Sequence, residues 1–359
     1  MGKKEFIGLL TVAAVLLSGC SRATDLQEQT QITCSSTPVT TENSSDTITE
    51  TTSGPTSTES FEFNPHVYSP KMAERFPQDY WDSFYNLCDA LRAGESSFEC
   101  SSQEAYDWCT DTIVLNNLFP AACESITNKT GDGSASYENG TGKIYYTIPV
   151  EEFVVKESDF ESLIVNILNY HVEADDTEYE RALKLYLYVA ENFEYGLDRG
   201  DMENTTYGTF MTMKGTCINL ASAYAYLLLQ TGIDAINIGC SESGKDHAWT
   251  YAVINGKAYH IDTTYALRTS NPELMYICLD YFMMSDENRI SDGYPVNDLT
   301  VQLLPEFWAS RSSMVFPAPD SSFNLRSGCG FVSLDEDNKI LTYADDKNVM
   351  HTFCYEGYN

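Results

Sequence analysis

The sequence predicts an α+β protein in which a helix packs on an antiparallel sheet, and three stretches between residues 214 and 265 carry that expectation. Residues 217–230 are an Ala/Leu-rich run that starts after Gly215-Thr216 and stops at Thr231-Gly232, as a capped helix does. Residues 233–238 form a short apolar run of strand length. Residues 247–254 and 257–264 are two further strand patterns joined by Asn255-Gly256, the pair that a two-residue type I′ hairpin prefers.

These elements place chemistry. Cys217 falls in the first turn of its helix, where free backbone N–H groups and the positive end of the helix dipole stabilise a thiolate and can hold an oxyanion. An unassisted thiol is only a few per cent ionised at pH 7, so a base is still needed. Pairing Ile254 with Lys257 sets Trp249 opposite Asp262 and His247 opposite Thr264, which puts His247 and Asp262 diagonally on one sheet face. That diagonal spans about 7–8 Å between backbones, within reach of a carboxylate and an imidazole. Cys217, His247 and Asp262 are thus the candidate nucleophile, base and orienter, a set defined by roles rather than by sequence position. His260 lies on the same face as Asp262 and is a rival base, placed behind His247 because it faces Tyr251, farther from the start of the first strand.

The stretch resembles the core of the transglutaminase-like superfamily, whose pattern is a Gly-x-Cys helix start, then His-Ala-Trp, then a strand ending in Asp-x-Thr. The matching residues are Gly215-Thr216-Cys217, His247-Ala248-Trp249 and Asp262-Thr263-Thr264. The likeness extends upstream to residues 182–195 and downstream to residues 284–289, so that it covers roughly 160–290. It implies a papain-like α+β fold with Cys217 as nucleophile, His247 as base and Asp262 as orienter. Ile218 stands where many bacterial members carry Gln, a departure that bears on contacts to substrate.

The amino terminus reads as an export signal. Lys3 and Lys4 precede an apolar run over residues 6–17, followed by Ser18-Gly19-Cys20, the layout of a bacterial lipoprotein signal with Cys20 as the lipidated residue. The run is too short for a transmembrane helix of about 20 residues. Residues 21–60 are half Ser and Thr and bury too little apolar surface to order, which predicts a tether. The expected organisation is signal (1–20), tether (21–60), mainly helical extension (61–155), catalytic core (156–290) and β-rich carboxyl-terminal region (291–359), anchored by lipid at the outer face of a cell membrane.

Lys and Arg number 21 against 53 Asp and Glu, a formal charge of −32, which argues against nucleic acid and anionic lipid as partners. Among eleven cysteines none shows Cys-x-x-Cys spacing, and only five histidines are present, so neither a metal nor a cofactor is expected. Export permits disulfides: Cys88, Cys100, Cys109 and Cys123 are close enough in sequence for one or two, and Cys329 with Cys354 for another.

In the flanks, residues 78–92 have helical spacing with Tyr80, Phe84, Leu87 and Leu91 on one stripe, and residues 102–118 repeat the pattern from a Ser cap. Residues 143–149 alternate like a strand, 157–171 and 177–193 read as helices, 276–284 as a strand behind the hairpin, and the last thirty residues as a three-stranded meander. Trp249, Tyr195 and Tyr207 are the candidate substrate contacts; the two tyrosines flank the polar loop before Cys217 and can donate hydrogen bonds.

The chemistry expected is attack of Cys217 on an acyl carbon, with a thioester resolved by water or an amine. The substrate is expected to be a peptide or protein amide, such as a cell-wall peptide. The contrasting expectation is an inert binding or structural surface protein built on the same core.

Overall fold

The run from Cys217 to Gln230 is helical because Thr216 and Asn219 close its amino end: the Thr216 N–H donates to Asn219 Oδ1 at 3.1 Å, and Asn219 N–H is capped in return by the Thr216 side chain. It stops at Thr231 and Gly232, whose φ of +85° reverses the chain into the strand Asp234–Cys240. The strands His247–Ile254 and Lys257–Ile261 follow, joined at Asn255 and Gly256 with φ of 51° and 73°, as a type I′ turn requires. Ile254 pairs with Lys257 and Thr250 with Ile261, the register expected.

The computed structural model describes residues 60–128, 136–196, 205–240, 246–270, 275–296, 299–301, 314–323 and 325–358. The expected lipidation residue Cys20 and residues 21–59 of the tether lie outside them, as do residues 197–204 of the loop before Cys217. No helix among the described residues is long and apolar enough to cross a membrane.

The protein is α+β. The central sheet is antiparallel, with Lys257–Ile261 at one edge, then His247–Ile254, Asp234–Cys240 and the short strand Leu299–Val301. That last strand falls in a stretch without readable periodicity. The Cys217 helix lies across the sheet, buried along nearly its whole length, and Thr250 Oγ1 donates to Ala221 O at 2.9 Å to tie the layers together.

The flanks pack onto the same hydrophobic cluster, which runs from Val67 to Tyr358. Gln78–Arg92 is helical and buries Trp81, Phe84, Leu87 and Leu91. The pattern from Ser102 to Leu118 divides into Gln103–Cys109 and Thr112–Leu118, because Asp111 leaves the helix and accepts from the Ile113 N–H to cap the second piece. The helix expected from Glu157 begins at Val150, just after Pro149. Thr177 and Glu180 box the start of Glu178–Asn192. The expected strand over 143–149 is reduced to Thr141–Lys143 and Tyr145–Tyr146. Residues 276–284 form no extended strand; they touch the hairpin edge at a single bridge, with His260 N–H to Met284 O at 2.9 Å and the reverse bond at 2.8 Å. The meander is present as Gly330–Asp335, Ile340–Ala344 and Met350–Cys354. It docks on Glu178–Asn192 through Tyr355, which stacks on Tyr179 at 4.6 Å and donates to Glu180 at 2.7 Å.

The cysteine pairings differ from expectation. Cys88, Cys100, Cys109 and Cys123 are free, buried thiols, and their place in the helical core makes them small apolar fillers. Cys354 is disulfide-bonded, but Cys329 is a free thiol that donates to Arg326 O at 3.3 Å, so the two do not pair.

Candidate active site

Cys217 occupies the first helical position, and Gly215 makes this possible. A Cβ on Gly215 would meet Asn219 Cβ at 2.7 Å, so only glycine lets the capping residue close over the helix start. The N–H groups of Cys217 and Ile218, in the first turn, have no intrahelical acceptor and are free to bind an anion. The helix end is fixed by a buried polar chain: Asn237 Nδ2 donates to Ile218 O at 3.0 Å and to Ser222 Oγ at 2.7 Å, and Ser222 donates to Asn117 Oδ1 at 2.7 Å. Asn117, from the helix Thr112–Leu118, thus reaches the layer that holds Cys217 directly.

His247 opens its strand opposite Cys240. A Cβ on the adjacent Gly239 would lie 2.6 Å from the His247 carbonyl oxygen, so glycine there lets the two strands close tightly at this point. His247 Nε2 lies 2.6 Å from Asp262 Oδ2, and the imidazole stands near enough to the Cys217 thiol for each to shift the other's titration. With Nε2 committed to the carboxylate, Nδ1 is the nitrogen left for sulfur. Tyr265 and Tyr294 pack on the ring at 4.9 and 5.1 Å and share a 2.6 Å hydrogen bond with each other.

Asp262 is not a strand residue. The strand ends at Ile261, and Asp262 caps the single helical turn Thr263–Ala266, accepting from Thr264 N–H at 3.1 Å through Oδ1. Its own N–H donates to Tyr281 O at 2.9 Å. Oδ2 is left for His247 and for Arg289, whose Nη1 lies 3.2 Å away. Both Asp262 and Arg289 are fully buried.

The electrostatics follow from these contacts. Burial alone would raise the Cys217 thiol, but the His247 hydrogen bond and charge, with the Ala248 N–H, bring it below its ordinary value. Burial alone would lower the His247 imidazole, yet the charge and hydrogen bond of Asp262 push it up to about 9. Asp262 is held below its usual range by His247, Arg289 and the Thr264 N–H, against the opposing effect of burial. Both shifts move the pair toward a thiolate beside an imidazolium.

The structure brings Cys217, His247 and Asp262 together and disperses the expected substrate contacts. Tyr195 is 54% exposed and close enough to Cys217 to feel its charge. Tyr207 turns the other way, packing on Phe160 at 5.4 Å under Lys156 at 4.1 Å. Trp249 needs correction: it has no exposed surface, donates to His260 Nδ1 at 3.0 Å and lies against Arg289, so it supports the site from behind and presents nothing to a substrate. His260 is likewise removed as a base, since Nδ1 accepts from Trp249 and Nε2 bonds Asp286 at 3.0 Å. Ile218 is 39% exposed beside the thiol. Arg289, Tyr265 and Tyr294 were not legible as site residues; the available signal was a lone Arg in the acidic stretch 286–292, well past the second hairpin strand.

Residues 166–263 match the family described as the transglutaminase-like superfamily. Among solved structures, a candidate cysteine protease from Cytophaga hutchinsonii is 17% identical over 32% of this chain and 39% of its own, with a TM-score of 0.25. LapG of Legionella pneumophila is 13% identical over 32% of this chain and 64% of its own, with a TM-score of 0.22. The chain therefore spans less than two-thirds of either neighbour. No curated protein matches it.

Proposed function

We propose, from the match of residues 166–263 to the transglutaminase-like superfamily, that the protein is a cysteine acyltransferase or peptidase acting on peptide or protein amides. The observation that carries this is the continuous contact from the Cys217 thiol through His247 to the buried Asp262 carboxylate. The Cys217 thiolate attacks the acyl carbon, and the carbonyl electron pair moves onto oxygen, beside the free N–H groups of the helix start. Collapse breaks the C–N bond as His247 gives its proton to the departing amine, leaving a thioester on Cys217. Water or a second amine then attacks the thioester carbon, with His247 taking the proton, and the C–S bond breaks to release the Cys217 thiolate, so hydrolysis and transamidation differ only in the acceptor. Asp262 keeps the imidazole oriented throughout. Lipid attachment at Cys20 would set this chemistry at the outer face of the membrane, with wall peptides or extracellular proteins as substrates.

The test is to incubate the protein with activated acyl esters and peptide amides and look for the acyl adduct on Cys217 by mass spectrometry. A thioester in the native protein, absent in Cys217→Ala, is expected. Acylation that persists in Cys217→Ala, or its absence in a folded native protein across a broad acyl panel, contradicts the proposal.

A further inference from the structure

The catalytic group carries a second, permanent cation. Asp262 Oδ2 faces both His247 Nε2 and Arg289 Nη1, at 2.6 and 3.2 Å. The Arg289 guanidinium lies between the rings of Trp249 and Tyr294, 4.1 and 4.5 Å from their centroids. Among the described residues its Nε and Nη2 have no hydrogen-bond partner, so Nη1 toward Asp262 is its main polar commitment, with Met284 Sδ at 3.9 Å. Asp292 Oδ2 lies 3.8 Å from Nη1, beyond hydrogen-bond reach, while its Oδ1 pairs with Arg326.

We infer that Arg289 is a positioning residue that serves as the standing counter-charge of Asp262, so that His247 can release its proton without leaving an uncompensated carboxylate in the protein interior. A buried carboxylate whose sole partner is the imidazolium would hold that proton against transfer. An arginine stays charged through the cycle and relieves this. The groups facing His247 are Cys217, Asp262, Tyr265 and Tyr294, and those facing Arg289 are Asp262, Asp292, His260, Tyr265 and the rings of Trp249 and Tyr294; among the described residues Arg289 is the cation that acts on Asp262 when His247 is neutral. The direction agrees with the charge effects at His247, which Asp262 raises and Arg289 lowers.

The inference presupposes the catalytic role of Cys217, but its readout does not. NMR titration of the imidazoles in ¹⁵N-histidine-labelled protein, assigned with His247→Ala, gives the His247 midpoint directly. In Arg289→Gln the midpoint is expected to rise by about one unit, as loss of a neighbouring charge does. Amide turnover is expected to fall about tenfold, as on loss of a supporting partner, while iodoacetamide still alkylates Cys217 at pH 7 within about twofold of the native rate, since alkylation needs only the thiolate. Arg289→Lys is expected to restore the native midpoint. An unchanged midpoint in folded Arg289→Gln overturns the inference. If that variant does not fold, Arg289→Met is read by the same rule: a raised His247 midpoint supports the counter-charge, and an unchanged one overturns it. A protein whose His247 midpoint moves as expected but whose Cys217 never forms a thioester keeps the inference and loses the proposed activity.

Discussion

His247 Nε2 and Asp262 Oδ2 meet at 2.6 Å at the open end of a hairpin, 15 residues apart in sequence, with the aspartate already turned out of its strand to cap a helical turn. The cap matters to the chemistry. By binding the Thr264 N–H through Oδ1, Asp262 fixes the plane of its carboxylate and leaves Oδ2 for the imidazole.

Trp249 is predicted to act on stability rather than on substrate affinity. Trp249→Phe leaves His260 Nδ1 without its donor and opens a gap against Arg289, a loss of about 2–3 kcal/mol by denaturant unfolding. KM is expected to stay within about twofold of native, because no part of the ring is exposed. A raised KM with unchanged stability would contradict the buried placement.

Glu157 is predicted to make stability fall with rising pH. It is 3% exposed, and burial, aided by the charge of Glu161, pushes its carboxyl up to about 8 from an ordinary 4.5. The folded carboxyl keeps its proton to about pH 8 while the unfolded one gives it up near 4.5, so stability is lost progressively across that window. Glu157→Gln removes the penalty: no gain is expected at pH 4.5, and a gain of about 1–3 kcal/mol at pH 8. Thermal melts across this range check it, and a gain independent of pH would count against the assignment.

Asn237 is predicted to hold the Cys217 helix start in place. Asn237→Ala removes its bonds to Ile218 O and Ser222 Oγ, at a cost of about 1–3 kcal/mol. Acylation of Cys217 is expected to slow while the thiol midpoint stays where it was, since Asn237 carries no charge. An unaltered acylation rate would show that the helix start is fixed by the Thr216–Asn219 cap alone.

Features set by local chemistry were legible in the sequence. Asn255-Gly256 fixed the hairpin register to the residue, the Thr216 and Ser102 caps marked helix starts, and the alternating apolar runs of the last thirty residues gave the meander. Features set by tertiary partners were not. Nothing local shows that Asp262 would leave its strand for Thr264, that Leu299–Val301 would complete the sheet, or that Asp111 would divide a continuous helical pattern. Trp249 was misread because the His-Ala-Trp spacing places it beside His247 without revealing that both faces of its ring are covered. Arg289 was missed because its partner is reached only after the chain folds back across the hairpin edge at Met284.

The most direct measurement is the pH dependence of Cys217 alkylation in the native protein and in His247→Ala. Because His247 lowers the thiol and is itself raised to about 9, the native thiolate is expected to react below the ordinary thiol value of about 8.5, with a second step as the imidazole loses its proton around pH 9. In His247→Ala the low-pH reactivity should vanish and a single ordinary titration remain. A native thiol that titrates near 8.5, or a profile unaffected by His247→Ala, would contradict a working Cys217–His247 pair.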